Sequence, residues 1–423
     1  MITLYRVLTF IMYPLIFLFI LIRILLNKED PKRYKEKLLF SHFKVEKNQS
    51  KRLIWFHASS IGEFKSIIPI IQKLNLKGEN FEILITTTTY SSSALAKDEL
   101  KNLKNVRHRF FPIDVSFLID KFLNLWKPDR IFLVDSEIWP NLILLANQKK
   151  IPIALLNARL TKKTFNRWLK FKNISLKIFS KFELCLTANT QTKEFLKKLG
   201  ANNIFFYGNI KLIEYLNDTN ENNINSDFLN KKRFWFAAST HEGEEVLCLK
   251  THKIIKNRYK DIITIIAPRH IDRVQNIKDY CENLKLNSQL LNKGEKIERD
   301  KEIIIINSYG ILKEYFKYAK SVFIGKSSIL KLKNNSGQNP LDAAKFRCKI
   351  YHGPYVANFQ DIYQILQDQG ISKKINSHED LSYNLLKDLE DPLKGEGVVS
   401  KNLETICKKT MVSTMDSINK FIL

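Results

Sequence analysis

Two kinds of apolar pattern alternate along the chain. Short unbroken runs, "LIWFHAS" (53–59), "FEILITTTT" (81–89), "RIFLVD" (130–135), "IPIALLNA" (151–158) and "FELCLTA" (182–188), each end at polar residues. Stretches with helical apolar spacing follow them, such as "SIIPIIQKL" at 66–74. Unbroken runs of this length read as buried strands, and the amphipathic stretches read as helices. Their alternation predicts βαβ units and a mostly parallel sheet, an α/β fold. After a polar, aperiodic, Asn-rich stretch, "NDTNENNINSDFLNKK" (217–232), the pattern restarts with "RFWFAAST", "DIITIIAPRH", "EIIIINS", "SVFIGKSS" and "CKIYHGP". The expected organisation is an anchor at 1–27, a first α/β domain at 28–216, a linker at 217–232 and a second α/β domain at 233–423. Two such halves imply a cleft, with ligands bound beyond the carboxyl ends of the strands.

The anchor is read from Val7 to Ile22, which carries no charge between Arg6 and Arg23. Roughly 20 apolar residues cross a bilayer, so this run, interrupted by Pro14, fits a spanning or an embedded helix. No small-x-small cleavage site follows, which argues against a signal peptide. Lys28, Lys32, Arg33, Lys35 and Lys37 come next, and by the positive-inside rule they hold the rest of the chain in the cytoplasm.

Composition narrows the classes. With 423 residues, 44% of them hydrophobic, the chain can build two cores and is not disordered. A formal charge of +26 points to nucleic acid, an anionic membrane or phosphorylated ligands, although the chain's general richness in Lys, Asn and Ile accounts for part of it. The aromatic residues sit within apolar strands and the anchor rather than among basic residues, which argues against nucleic acid. Cys185, Cys248, Cys281, Cys348 and Cys407 form no C-x-x-C pair, as expected in a reducing compartment. No H-E-x-x-H, P-loop, Asp-x-Asp or glycine-rich dinucleotide fingerprint is present. Kinases, dehydrogenases and Asp-x-Asp metal sites are thereby disfavoured, and no metal or cofactor is expected.

Candidate chemistry gathers where strands stop. In "WFHASSIGEFKS" (55–66), Glu63 stands at a strand-to-helix turn. Ser60-Ile61-Gly62-Glu63 fits a capping box, yet a glycine in a helical turn costs about 0.5–1 kcal/mol, which capping alone leaves unexplained. A helix start with an open backbone also favours an anionic ligand, so cap and functional carboxylate both stand. "AASTHEGEE" (237–245) repeats the geometry, with Ser239 or Thr240 as cap, a possible Ser239-to-Glu242 capping box, and His241 directed into the cleft. Arg269 in "APRH" offers planar donors suited to a phosphate. "SGQNPLDAAKF" (336–346) reads as a helix start with Asn339 as cap, Pro340 at the first helical position and Asp342 in the first turn. Glu137 in "VDSEIWPNL", Asn157 and Arg159 in "NARL", and Lys211 in "GNIK" stand at further strand ends. Such a rim of acid, amide and cations describes a nucleotide-sugar cleft.

These residues resemble the Kdo (3-deoxy-D-manno-octulosonic acid) transferases of Gram-negative bacteria. The likeness runs from the anchor to about Asp361 through "RYKEK", "HASSIGE", "TTTT", "SEIWPNL", "NARL", "GNIK", "STHEGEE", "APRH", "GQNPLDAA" and "GPYVANF", in that order. It implies a GT-B fold, two Rossmann-like domains facing across a cleft, with the donor CMP-Kdo held mainly by the second and the lipid acceptor by the first. It implies inverting, metal-independent transfer to the 6′-hydroxyl of lipid IVA, with no cofactor. Glu63 is then the catalytic base; Ser239, His241, Arg269, Asn339 and Asp342 serve the donor; Glu137 and Lys211 orient substrate. Anionic lipids on the cytoplasmic face of the inner membrane complete the expected partners, and nucleic acid is not among them. Two departures stand out: Asp342 occupies a position where the family commonly has Glu, and Gly325-Lys326 stands where paired glycines are usual. The alternatives are another membrane-associated GT-B enzyme using a UDP-sugar, and a membrane-tethered nucleic-acid-binding protein.

Overall fold

The computed structural model describes residues 2–423 apart from 44, 46, 49, 78–79, 217–222 and 392–400, so the first six positions of the expected linker lie outside the described residues. The chain divides into two units, Met1–Glu214 with Cys407–Leu423, and Tyr215–Ile406.

In the first unit, strands β1 (Arg52–His57), β2 (Phe81–Thr87), β3 (Val106–Phe110), β4 (Arg130–Val134), β5 (Ile153–Ala158), β6 (Phe182–Thr187) and β7 (Ile204–Phe206) form one sheet in the order β3-β2-β1-β4-β5-β6-β7. In the second, β8 (Phe234–Thr240), β9 (Ile263–Pro268), β10 (Ser288–Leu291), β11 (Ile303–Ile306), β12 (Ser321–Ile324), β13 (Lys349–His352) and β14 (Ser372–Lys374) form another, ordered β10-β11-β9-β8-β12-β13-β14. Every pairing is parallel. Helices cover both faces of a parallel sheet, so its inner strands are apolar on both sides. That is why the ten apolar runs of the sequence became strands. The four strands without such a run, β3, β7, β10 and β14, are the four sheet edges.

The chain end corrects one expected boundary. Helix Lys401–Ile422 carries Met411, Met415, Ile418 and Ile422 into the core of the first unit, where Arg130 Nε donates to the Phe421 carbonyl at 2.7 Å and Thr410 Oγ1 to the Tyr207 carbonyl at 2.9 Å. The first sheet thus claims residues assigned by sequence to the domain at 233–423, because their helical apolar stripe covers one of its faces. Part of the expected linker is also structured, since Ser226–Lys231 is a helix of the second unit.

Helix Ile2–Leu25 is long and apolar enough to cross a membrane. Its inward face is the more polar one. Tyr5 Oη donates to Asp114 at 2.9 Å and Tyr13 Oη to the Leu38 carbonyl at 2.7 Å, while Ile20 is buried. Leu4, Leu8, Ile11, Leu15, Leu18 and Ile22 are exposed. This inverts the amphipathicity of a surface helix in water. The basic cluster that follows is partly consumed inside the protein. Lys37 is buried and ion-paired with Glu29, and Arg33 pairs with both oxygens of Glu36, of which Oε2 also accepts the Phe110 N–H at 2.9 Å. "RYKEK" therefore clamps β3, and two of the five cations of the cluster, Arg33 and Lys37, are held in ion pairs.

Candidate active site

In the first sheet the chain runs from β1 outward to β2 and β3, then returns to place β4 on the other side of β1. Loops diverge at the carboxyl ends of β1 and β4, and this switch point is where open α/β sheets bind ligands. Glu63 lies in the first turn of helix Ile61–Lys77, just after β1, and Glu137 lies just after β4. The capping reading of Glu63 holds: Oε2 accepts the Ser59 N–H at 2.7 Å and Oε1 accepts the Ser60 hydroxyl at 2.8 Å. The carboxylate is half-buried, and burial raises its pKa above the usual range, aided by the charges of Glu137 and Asp135 and opposed by the Ser60 and Ser59 hydrogen bonds. Gly62 is exposed, and a Cβ there would meet nothing within 4 Å, so the protein's own packing does not demand glycine.

Glu137 is held from two sides. Trp139 Nε1 donates to Oε2 at 2.7 Å, and His57 Nε2 lies 3.1 Å from the same oxygen. Thr86 Oγ1 accepts the Trp55 indole N–H at 2.9 Å and lies 3.0 Å from His57 Nδ1. His57 Nδ1 also lies 3.2 Å from the Thr86 carbonyl, so the ring is held by Thr86 on one side and by Glu137 on the other. Phe111 stacks on the His57 ring at 3.9 Å. Lys211 Nζ reaches Asp135 at 3.0 Å, beside the same strand end. The structure thus brings Glu63, Glu137 and Lys211 to one switch point and adds His57, Asp135 and Trp139. Asn157, by contrast, is buried and accepts the Ile210 N–H at 3.0 Å, a structural role.

The second unit builds its switch point at β8 and β12. Gly325 follows β12, and a Cβ there would come within 2.6 Å of Thr240 Cα, so only glycine lets the two loops approach. Glu244 ties them together. Its buried carboxylate accepts N–H groups from His241 at 2.9 Å, Lys326 at 2.7 Å, Ser327 at 2.8 Å and Ser328 at 2.9 Å. Ser239 is not a helix cap. It lies inside β8 with φ +56°, and Gly243 is the N-cap of helix Glu244–Arg258. Glu242 is exposed, and the capping-box role expected of it passes to Glu244, because the strand runs on to Thr240 and delays the helix.

His241 donates from Nδ1 to the Ser239 carbonyl at 3.1 Å, and burial lowers its pKa, with Lys326, His270 and Arg269 adding to the effect. Arg269 is exposed just after β9, with no ion-pair partner among the described residues. Asn339 Oδ1 accepts the Leu341 N–H at 3.1 Å, as a cap does, but helix Leu341–Lys345 starts after Pro340 and has five residues, so its end carries little dipole. Asp342 pairs with Lys313 at 3.7 Å. Lys326 adopts φ +57°, a left-handed conformation that glycine takes without strain. Sequence reasoning missed Glu244. The signal available was a second acid following the glycine of "HEGEE".

A family profile described as 3-deoxy-D-manno-octulosonic-acid transferase (kdotransferase) matches residues 32–213. A probable mitochondrial 3-deoxy-D-manno-octulosonic acid transferase of Arabidopsis thaliana is 33% identical over 377 residues, 86% of this chain and 82% of that protein. The 3-deoxy-D-manno-octulosonic acid transferase of Rickettsia bellii is 30% identical over 394 residues, 93% of this chain and 91% of its own. Among solved structures, a UDP-GlcNAc 2-epimerase from Neisseria meningitidis bound to UDP-GlcNAc aligns with a TM-score of 0.57 at 13% identity, covering 87% of this chain and 100% of that one. This last likeness is one of fold, two Rossmann-like units in a single chain. Sequence and fold together place the chain in the 3-deoxy-D-manno-octulosonic acid transferase family, glycosyltransferases of the GT-B class.

Proposed function

We propose that this protein transfers Kdo from CMP-Kdo to the 6′-hydroxyl of lipid IVA, with inversion, with Glu63 as general base and without a metal. The observation that carries this reading is the state of Glu63, half-buried at a topological switch point with its pKa raised by burial and by two neighbouring acids. A base is most effective when its pKa approaches the working pH, and the shift goes that way. Glu63 takes the proton of the acceptor hydroxyl as that oxygen bonds to C2 of Kdo. The bond from C2 to the phosphate oxygen breaks, and CMP departs with the electron pair. Glu137, fixed by His57 and Trp139, and Lys211 orient the acceptor sugar.

The second unit serves the donor. Arg269, with Lys326 and His241 nearby, compensates the charge that develops on the leaving phosphate, a role that fixed cations fill without a metal. Ser239, Asn339 and Asp342 complete the donor contacts, with Asp342 exchanging its Lys313 partner for the ribose. The apolar helix Ile2–Leu25, exposing its apolar side, holds the protein on the cytoplasmic face of the inner membrane, where anionic lipids meet its excess of positive charge.

Mass spectrometry of lipid IVA after incubation with detergent-solubilised protein and freshly made CMP-Kdo, with and without EDTA, tests this reading. A gain of Kdo mass that survives EDTA and vanishes in Glu63→Ala is expected. Transfer that needs added metal, or that persists in Glu63→Ala, would overturn the mechanism.

A further inference from the structure

Between the N-terminal helix and the first sheet lies a cavity of about 470 Å³, within the roughly 300–1,000 Å³ of small-molecule pockets. Ile16, Phe19 and Ile20 form one wall; Phe111, Ile113 and Val115 form the other. Its polar groups already have partners. At one end Arg23 Nε meets Glu29 at 2.9 Å, and Lys37 pairs with Glu29 while donating to the Thr88 carbonyl at 2.7 Å. Farther along the helix, Tyr5 bonds Asp114 at 2.9 Å. An apolar cavity whose polar rim is satisfied offers water few partners and suits hydrocarbon.

Residues that line the cavity also position Glu63 and Glu137. Thr88 Oγ1 accepts the Ser59 hydroxyl at 2.7 Å, and Ser59 N–H holds Glu63. Phe111 stacks on His57, and Trp139 donates to Glu137 at 2.7 Å. An occupant therefore sits one side chain, Trp139, away from Glu137 and two residues, Thr88 and Ser59, away from Glu63. Beyond the cavity, the opposite face of the helix is apolar and exposed, so the occupant can enter from an apolar phase.

We infer that this cavity binds an acyl chain of the lipid acceptor and so sets the distance between its sugar hydroxyl and Glu63. The inference rests on the reading of Glu63 as the base. An ordinary bilayer phospholipid is the rival occupant. It has no need of lining residues that position the catalytic acids.

The test is photolabelling with a tetraacyl disaccharide bisphosphate that bears a diazirine at an acyl terminus, followed by peptide mapping, in wild type and in Glu63→Gln. Label on the segment 111–115 and on the buried Ile20, undiminished by excess phosphatidylglycerol vesicles, is expected in both proteins. Label confined to the exposed face at Leu8, Ile11 and Leu15, or label displaced by the vesicles, overturns the cavity assignment. Turnover separates the two readings: an active Glu63→Gln that still labels the cavity defeats the base and spares the pocket, and a dead Glu63→Gln labelled only on the exposed face does the reverse. Kinetics give a second arm. Each methylene removed from the acceptor should raise KM about fourfold, and Ile16→Trp should flatten that gradient while leaving a deacylated acceptor unaffected. A gradient identical in Ile16→Trp and wild type counts against the proposal.

Discussion

The backbone N–H of Ser59 donates to Oε2 of Glu63 at 2.7 Å, tying the carboxylate to the strand end four residues before it. Capping and chemistry are therefore not rivals at this position. The hydrogen bonds that cap the helix also aim the acid.

Replacing Glu63 with Gln should lower kcat by about 10²–10⁴ with little change in KM. In the wild type, kcat should rise with pH along a limb whose midpoint lies above the ordinary glutamate value of 4.5, because burial raises the folded pKa. Linkage gives the matching sign for stability. A raised pKa means the folded chain binds the proton more tightly, so the contribution of Glu63 is fully present below the unfolded pKa and lost as pH rises through the folded one. Glu63→Gln should therefore melt higher than wild type at pH 7, and the difference should vanish near pH 4. A lower melting temperature at pH 7 would contradict the assignment.

Gly62→Ala separates packing from function. A Cβ meets no protein atom within 4 Å, so the substitution should stabilise the fold by about 0.5–1 kcal/mol. If the open backbone receives substrate, kcat/KM should nonetheless fall. Unchanged kinetics would show that glycine is incidental there.

Glu244 predicts a purely structural failure. Glu244→Ala would leave the N–H groups of His241, Lys326, Ser327 and Ser328 without their acceptor, and a loss of about 3 kcal/mol is expected in denaturant unfolding. Glu244→Gln should not rescue it, since its amide NH₂ would face donors. Wild-type stability in either variant would mean that the loops hold without the carboxylate.

Arg269 and Lys326 should diverge. Arg269→Ala removes an exposed cation with no ion-pair partner among the described residues, so stability should stay within about 0.5 kcal/mol of wild type while the KM for CMP-Kdo rises. Lys326→Gly relieves a left-handed residue and should stabilise by about 1 kcal/mol. A simultaneous rise in donor KM would mark the lysine as a phosphate contact, and its absence would mark it as a tolerated departure.

Much of the fold was legible. Ten apolar runs became the inner strands of two parallel sheets, because a strand buried on both faces needs apolar residues throughout. The edges β3 and β14, "VRHRF" and "SKK", carried no such signal, since an edge strand is held by backbone pairing and covered on fewer sides. The capping of Glu63 was readable three residues at a time, as was the acid at 137. By contrast, the tail helix reads as part of the second domain until its apolar stripe is seen covering the first sheet.

By itself the sequence determined the α/β class, the apolar helix at its start and the residue types at each strand end, because local periodicity and turn chemistry act over a few residues. Tertiary structure decided which strand ends share a switch point. It set His57 behind Glu137, 80 positions away, and drew Glu244 across to the backbone of 326–328. Such pairings depend on strand order, which parallel crossovers fix across the whole sheet and no short stretch of residues contains.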